Sequence, residues 1–119
     1  MSELWQIRLG RQAERDYAEI ARWTAKTFGA GQAEIYAETI SLAIQALREG
    51  PKIAGAKTRD DIESGIHTLH VARQGRRGRH FLVFRIGGEH SIDVLRLLHD
   101  SMDLARHIAA ANDSPDQRG

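Results

Sequence analysis

Arg79-His80-Phe81-Leu82-Val83-Phe84-Arg85-Ile86, then Gly87-Gly88-Glu89-His90, then Ser91-Ile92-Asp93-Val94-Leu95-Arg96-Leu97-Leu98 is the stretch from which the architecture follows. Both runs are rich in β-branched, leucine and aromatic residues, which suit a pleated, half-buried surface. The Gly87-Gly88 pair between them is a tight-turn signal, so the two runs predict an antiparallel hairpin. A third run, Ile66 to Arg73, precedes them across Gln74-Gly75-Arg76-Arg77-Gly78, and extends the hairpin to a three-stranded meander. Strict alternation along the last run would put Ile92, Val94, Arg96 and Leu98 on one side and Asp93, Leu95, Leu97 and His99 on the other. Large apolar groups then lie on both sides, whereas a sheet covered on one face is normally polar on the other. The second face therefore calls for a cover, either a C-terminal helix or another protein.

Toward the N-terminus the period changes from two to 3.6. Ala13, Tyr17, Ile20, Thr24 and Phe28 recur at helical spacing and are followed by Gly29, a helix stop. Ala33, Tyr36, Ile40, Ala43 and Leu47 repeat the pattern and end at Gly50-Pro51. The short Gly29-Ala30-Gly31 connection makes the two helices antiparallel neighbours, a helical hairpin over 11–49. Before it, Trp5-Gln6-Ile7-Arg8-Leu9 alternates as a short strand, and residues 51–65 read as a polar loop without periodicity. Asp100 or Ser101 is placed to cap a last helix from about Met102 to Ala111, and 112–119 form a polar tail. The expected fold is α+β: an N-terminal strand, a two-helix hairpin, a three-stranded antiparallel meander and a short C-terminal helix, as one domain over 1–111.

The 119 residues suffice for one modest core. With no cysteine, disulfides, thiolate catalysis and cysteine-ligated metals are excluded. No apolar run approaches a membrane span, and the first residues lack the pattern of a secretory signal, so a cytoplasmic protein is expected. The formal net charge of +1 does not by itself demand a nucleic-acid partner. Local charge is less even: Arg73, Arg76, Arg77 and Arg79 crowd the first hairpin turn, and lysine occurs only at Lys26, Lys52 and Lys57. Such a cluster reads either as a solvated tip or as a surface for phosphate or carboxylate. Arg96 and His99 form the best candidate constellation, although three residues of extended strand point them to opposite faces unless the strand bends. Arg96 reads equally as an arginine paired with a carboxylate, and His99 as a strand-end histidine bonded to backbone. His67, His70, His80, His90 and His107 look scattered, and neither a metal site nor a cofactor is expected. Gly75-Arg76-Arg77-Gly78 lacks the glycine spacing of a phosphate loop.

Four pieces in order resemble the ParE branch of the RelE/ParE toxins, over roughly 5–110. They are Ala13-Glu14-Arg15-Asp16-Tyr17-Ala18-Glu19-Ile20 with Trp23; Gly31-Gln32-Ala33-Glu34-Ile35-Tyr36; the loop with Pro51, Gly55, Arg59-Asp60-Asp61 and Gly65; and Val94-Leu95-Arg96-Leu97-Leu98-His99 followed by Met102-Asp103-Leu104. The chain departs from that family at His67, where many relatives carry arginine, and in its longer, more basic 74–78 turn. The resemblance implies the toxin of a type II toxin–antitoxin pair, silenced by a cognate antitoxin (ParD-like or similar), with a toxin dimer possible inside the hetero-oligomer. It implies inhibition of DNA gyrase, whereas the RelE-like branch cleaves mRNA on the ribosome; a member that binds antitoxin without toxicity is a third reading. RelE-like enzymes use lysines, arginines and often a C-terminal tyrosine on the open sheet. Here Tyr17 and Tyr36 occupy core-facing helical positions and no lysine falls in a predicted strand, so the residues favour an inhibitor over a nuclease. For a nuclease, Arg96 and His99 would be the catalytic pair; otherwise Arg73, Arg76, Arg77, Arg79, Arg96 and His99 are candidates for a toxin surface.

Overall fold

The structure is a computed structural model that describes residues 3–102. The expected C-terminal helix and polar tail lie outside these residues. Strand β1 (Gln6–Leu9) leads into helices α1 (Arg11–Phe28) and α2 (Ala30–Ala46), the latter tightening into a 3₁₀ turn over Leu47–Glu49. Strands β2 (Lys57–Thr58), β3 (His67–His70), β4 (His80–Ile86) and β5 (Ser91–His99) follow. The five strands form one sheet in the order β1-β5-β4-β3-β2. The meander β3-β4-β5 is antiparallel, and β1 adds to it parallel to β5, with Ile7 opposite Ile92 and Leu9 opposite Val94.

The helical hairpin turns on one residue. Gly29 adopts φ +98°, a conformation that L side chains rarely enter, and its N–H closes α1 on Ala25 O at 2.9 Å. At the other end no side chain caps α1. Instead Gly10 N–H bonds Val94 O at 2.8 Å, so the helix starts hard against β5. A Cβ at Gly10 would meet that oxygen at 3.2 Å. Thr24 and Thr39, both buried, return their hydroxyls to Ile20 O and Ile35 O one turn earlier, which satisfies them within their own helices.

The main core lies between hairpin and sheet and joins Ala13, Ile40, Ala43 and Leu47 to Leu69, Leu82, Phe84, Ile92, Val94 and Leu97. The presence of Ile92, Val94 and Leu97 in one cluster breaks the alternation expected for the last strand. The cause is a β-bulge: Val83 pairs with Arg96 but Phe84 with Val94, which leaves Leu95 without a partner and reverses the facing of β5 beyond it. Leu95 and Leu98 join Ile66, Val83, Phe81 and Ile62 in a second cluster on the opposite face. Ile62 reaches it because 59–66 is not a featureless loop. Ile62 N–H and Glu63 N–H bond Arg59 O, and Arg59 N–H bonds Ile66 O at 2.7 Å. That segment also follows β2, an edge strand absent from the sequence reading, which places Lys57 in the sheet. Phe28 is a further correction: it is 61% exposed, its ring edge to face with the exposed Trp23 at 5.7 Å.

Ile40 and Leu47 are 1% and 0% exposed. Replacing either with alanine should lower unfolding free energy by about 2–5 kcal/mol in urea titrations. A loss under about half a kcal/mol at both positions would show that α2 does not pack through this face.

Candidate functional site

The residues singled out in the sequence fall at three places. The first is the β5 edge. β1 covers that edge only as far as Leu9 opposite Val94. Beyond it, the Asp16 carboxylate from the second turn of α1 takes the place of a neighbouring strand. It accepts the Leu97 N–H at 2.9 Å and both prongs of the Arg96 guanidinium, Nε at 2.8 Å and an Nη at 3.1 Å. The two side chains are only 13% and 20% exposed, so this is a largely desolvated, bidentate pair. Arg96 is thereby the carboxylate-paired arginine of its structural reading. It shares no hydrogen bond with His99 among the described residues.

The second place is the end of the sheet where α2, the β3–β4 turn and the exit of β5 meet. β4 and β5 pair across the turn 87–91, with Ile86 opposite Ile92, and beyond the bulge His80 lies opposite His99. Their rings meet edge to face at 5.2 Å. The Tyr36 hydroxyl, from α2, lies 2.7 Å from His80 Nδ1 and accepts the Arg79 N–H at 2.9 Å. Tyr36 is thus not a purely apolar core residue. Its ring packs against the core while its oxygen closes the turn onto the helix. A Cβ at Gly78 would meet Val71 Cγ2 at 2.5 Å and the Tyr36 oxygen at 3.1 Å, so only glycine allows this approach. Alongside, Asp100 accepts from His70 Nε2 at 3.0 Å and from Arg79 Nε at 3.1 Å, and His99 Nδ1 is 2.8 Å from Ser101 Oγ. His70, His80, Asp100 and Tyr36 were not singled out as a group in the sequence. The available signal was the hairpin register, which without the bulge sets position 80 opposite 98 and so misses the pair by one residue.

Burial pushes the His80 imidazole down from 6.5 to about 4, with His99 and then His70 adding to the effect against the opposing carboxylates of Asp100 and Asp16. The hydrogen bonds from Arg79 and His70 hold Asp100 down at about 2. Burial raises the Tyr36 hydroxyl. At neutral pH the cluster therefore holds a neutral His80, a neutral Tyr36 and an ionised Asp100. Among the described residues no three His, Asp or Glu side chains converge as metal ligands would.

The third place is the arginine-rich turn, which is not a freely solvated tip. Arg76 folds back onto α2, with Nε to Thr39 Oγ1 at 2.9 Å and an Nη to Ile35 O and to Glu38 at 3.3 and 3.1 Å. Arg73 reaches only a carbonyl, Ala54 O at 3.4 Å. Arg77 is exposed and has no partner among the described residues.

Two results follow from this geometry. Asp16→Ala would leave the Arg96 charge and the Leu97 N–H unpaired, and should cost about 2–4 kcal/mol in chemical denaturation; a loss within error would show that water replaces the carboxylate freely. In the unfolded chain His80 titrates near its ordinary 6.5 and in the folded chain near 4, so the unfolded state binds more protons between those values. Stability should accordingly fall as pH drops from 6.5 to 4, with Asp100 adding a further loss below its ordinary 3.8. Urea midpoints across this range should decline more steeply for the parent than for His80→Gln; parallel declines would remove His80 as the cause.

A family model described as the ParE toxin of the type II toxin–antitoxin system parDE matches residues 7–104. Toxin ParE1 of Mycobacterium tuberculosis is 34% identical over 100 residues, covering 84% of this chain and 94% of that protein. Toxin ParE1 of Caulobacter vibrioides is 26% identical over 101 residues, covering 85% and 95%. Among solved structures, a chromosomal ParDE toxin–antitoxin system from P. aeruginosa superposes with a TM-score of 0.67 at 19% identity, covering 82% of this chain and 98% of that one. The toxin–antitoxin complex RelBE2 of M. tuberculosis gives 0.55 at 23% identity, covering 81% and 98%. At these identities the two structures establish the fold.

Proposed function

The chain belongs to the ParE toxin family of type II toxin–antitoxin systems, and from that premise we propose that it inhibits DNA gyrase and is neutralised by a cognate antitoxin. The observation that carries the inhibitor reading is the engagement of Arg96. Metal-free RNA cleavage needs cations free to stabilise a charged phosphorane and groups that move protons beside them. The arginine inside β5 is instead held bidentate by Asp16, on a different contact from His99. Lys57, the strand lysine, sits at the far edge of the sheet in β2. Arg96 then serves the toxin by fixing the α1–β5 junction, and its loss acts through folding or binding.

A second reading, ribosome-dependent cleavage of mRNA, draws on one observation: the Tyr36 hydroxyl, His80 and His99 stand together at the sheet end. The antitoxin reading is supported by the neighbouring solved structures, which are toxin–antitoxin complexes. No helix among the described residues is long and apolar enough to cross a membrane.

Purified protein should inhibit gyrase supercoiling with no ribosome present and leave RNA intact in a translating extract. Arg96→Ala and His99→Ala should alter inhibition only as far as they alter folding or binding. Loss of a proton-transfer group from a nuclease would instead cost about 10²–10⁴-fold in rate with the complex still formed. Codon-positioned cuts in ribosome-bound mRNA that vanish in His99→Ala would replace the gyrase reading with the nuclease one.

A further inference from the structure

We propose that the sheet end is an acid-released latch: a neutral His80 ties the 78–80 entry of β4 and the exit of β5 to α2, and a proton on His80 frees both. The latch is independent of what the toxin acts on. It rests on which atoms can donate. The Arg79 N–H donates to the Tyr36 oxygen at 2.9 Å. The Tyr36 hydroxyl proton then has one acceptor among the described residues, His80 Nδ1 at 2.7 Å. That nitrogen is therefore unprotonated, and the ring carries its hydrogen on Nε2. The two neighbouring rings follow the same pattern. The Ala72 N–H donates to His70 Nδ1 at 3.0 Å and the Ser101 N–H to His99 Nδ1 at 3.1 Å. His70 is thus left to donate from Nε2 to Asp100 at 3.0 Å.

A proton added at His80 Nδ1 points a second hydrogen at the Tyr36 oxygen. The hydroxyl proton then has no acceptor among the described residues, in a half-buried place where that is costly. The groups facing His80 come from every neighbouring element: Tyr36 of α2, Asp16 of α1, His70 of β3, His99 of β5, and Asp100 just past it. Burial opposes the charge most, His99 and His70 add to it, and the carboxylates of Asp100 and Asp16 do not offset them. Release spreads to the exit of β5 because the Asp100 N–H bonds Arg79 O at 2.8 Å and its carboxylate takes Arg79 Nε at 3.1 Å. Arg76 stays bound to Thr39 Oγ1 and Ile35 O, neither of which titrates, so the opening is confined to the His80 side of the turn.

Amide hydrogen exchange of the full chain, read residue by residue by NMR between pH 7 and 5, tests this. The Asp100 N–H bonds neither Tyr36 nor His80 and so reports the latch at a distance. The Ile40 N–H, inside α2, reports unfolding of the whole molecule. Asp100 should be less protected than Ile40 throughout, and its protection should fall about tenfold or more from pH 7 to 5. In His80→Gln, which takes up no proton, the fall should shrink below about twofold. Tyr36→Phe should lower Asp100 protection already at pH 7. Equal protection at Asp100 and Ile40 would mean that only global unfolding opens this end, and overturns the latch. A fall that persists in His80→Gln, or no fall in the parent, overturns it as well. Should His80→Gln not fold, the ring-nitrogen shifts of the unaltered protein at pH 7 decide: a hydrogen on His80 Nε2 supports the latch, and one on Nδ1 refutes it.

Discussion

The carboxylate of Asp16 holds the two halves of this molecule in register. β1 is too short to run the length of β5, so the outer edge of β5 past Val94 would present an unpaired backbone N–H beside a largely desolvated guanidinium. One side chain from α1 meets both. It extends the edge of the sheet by a single hydrogen bond, and its two oxygens together hold Arg96 as a planar fork. The bulge at Leu95 follows from the same place. The strand must reverse its facing there for Leu97 and His99 to turn toward the helices while Leu98 packs beneath the sheet. Without an anchor beyond the bulge, the end of β5 would be free to slip by a residue, which would exchange its two faces.

The same device recurs at several places where this cysteine-free chain joins elements far apart in sequence. Arg8 pairs with Asp93 between β1 and β5, Arg76 with Glu38 between a turn and a helix, Arg79 with Asp100 at the exit of β5, and Arg85 with Glu63 across the second face. Exposed ion pairs contribute little individually, commonly under about 1 kcal/mol. Their value here is geometric, since a guanidinium fork fixes direction as well as distance. The arginine-rich turn is thereby held within one short segment, with Arg76 attaching it to α2, Arg73 reaching Ala54 O and Arg77 exposed.

The helical hairpin and the meander were legible because each rests on a repeated local pattern that tertiary context does not override. Ile40, Ala43 and Leu47 are core because they recur at helical spacing, and Gly29 and Gly50 stop the helices because they adopt positive φ. What escaped reading depends on pairing between distant residues. A two-residue edge strand such as β2 is too short to show a period. A bulge changes parity without any compositional mark, so Leu97 shares the core with Ile92 and Val94 instead of lying on the opposite side from them. The site was less legible still. Arg96 was found, but its partner Asp16 lies 80 residues away on a helix whose pattern shows only that it is polar there. Tyr36 looked like a core residue because its ring is one; only its oxygen, at the rim, belongs to the sheet end.

The parallel pairing of β1 with β5 also bears on when the molecule comes into being. The hairpin of α1 and α2 is local and can form as soon as it is made, but the strand that covers its apolar face is last in the meander, and Arg8 meets Asp93 across 85 residues of chain. Loop closure over that span precedes any reward from the contacts it makes. On the ribosome, a chain growing from its N-terminus exposes the apolar side of its helices until β5 has emerged. The packing of α1 on β5 is therefore completed only after residue 99 has been made, however early the two helices form.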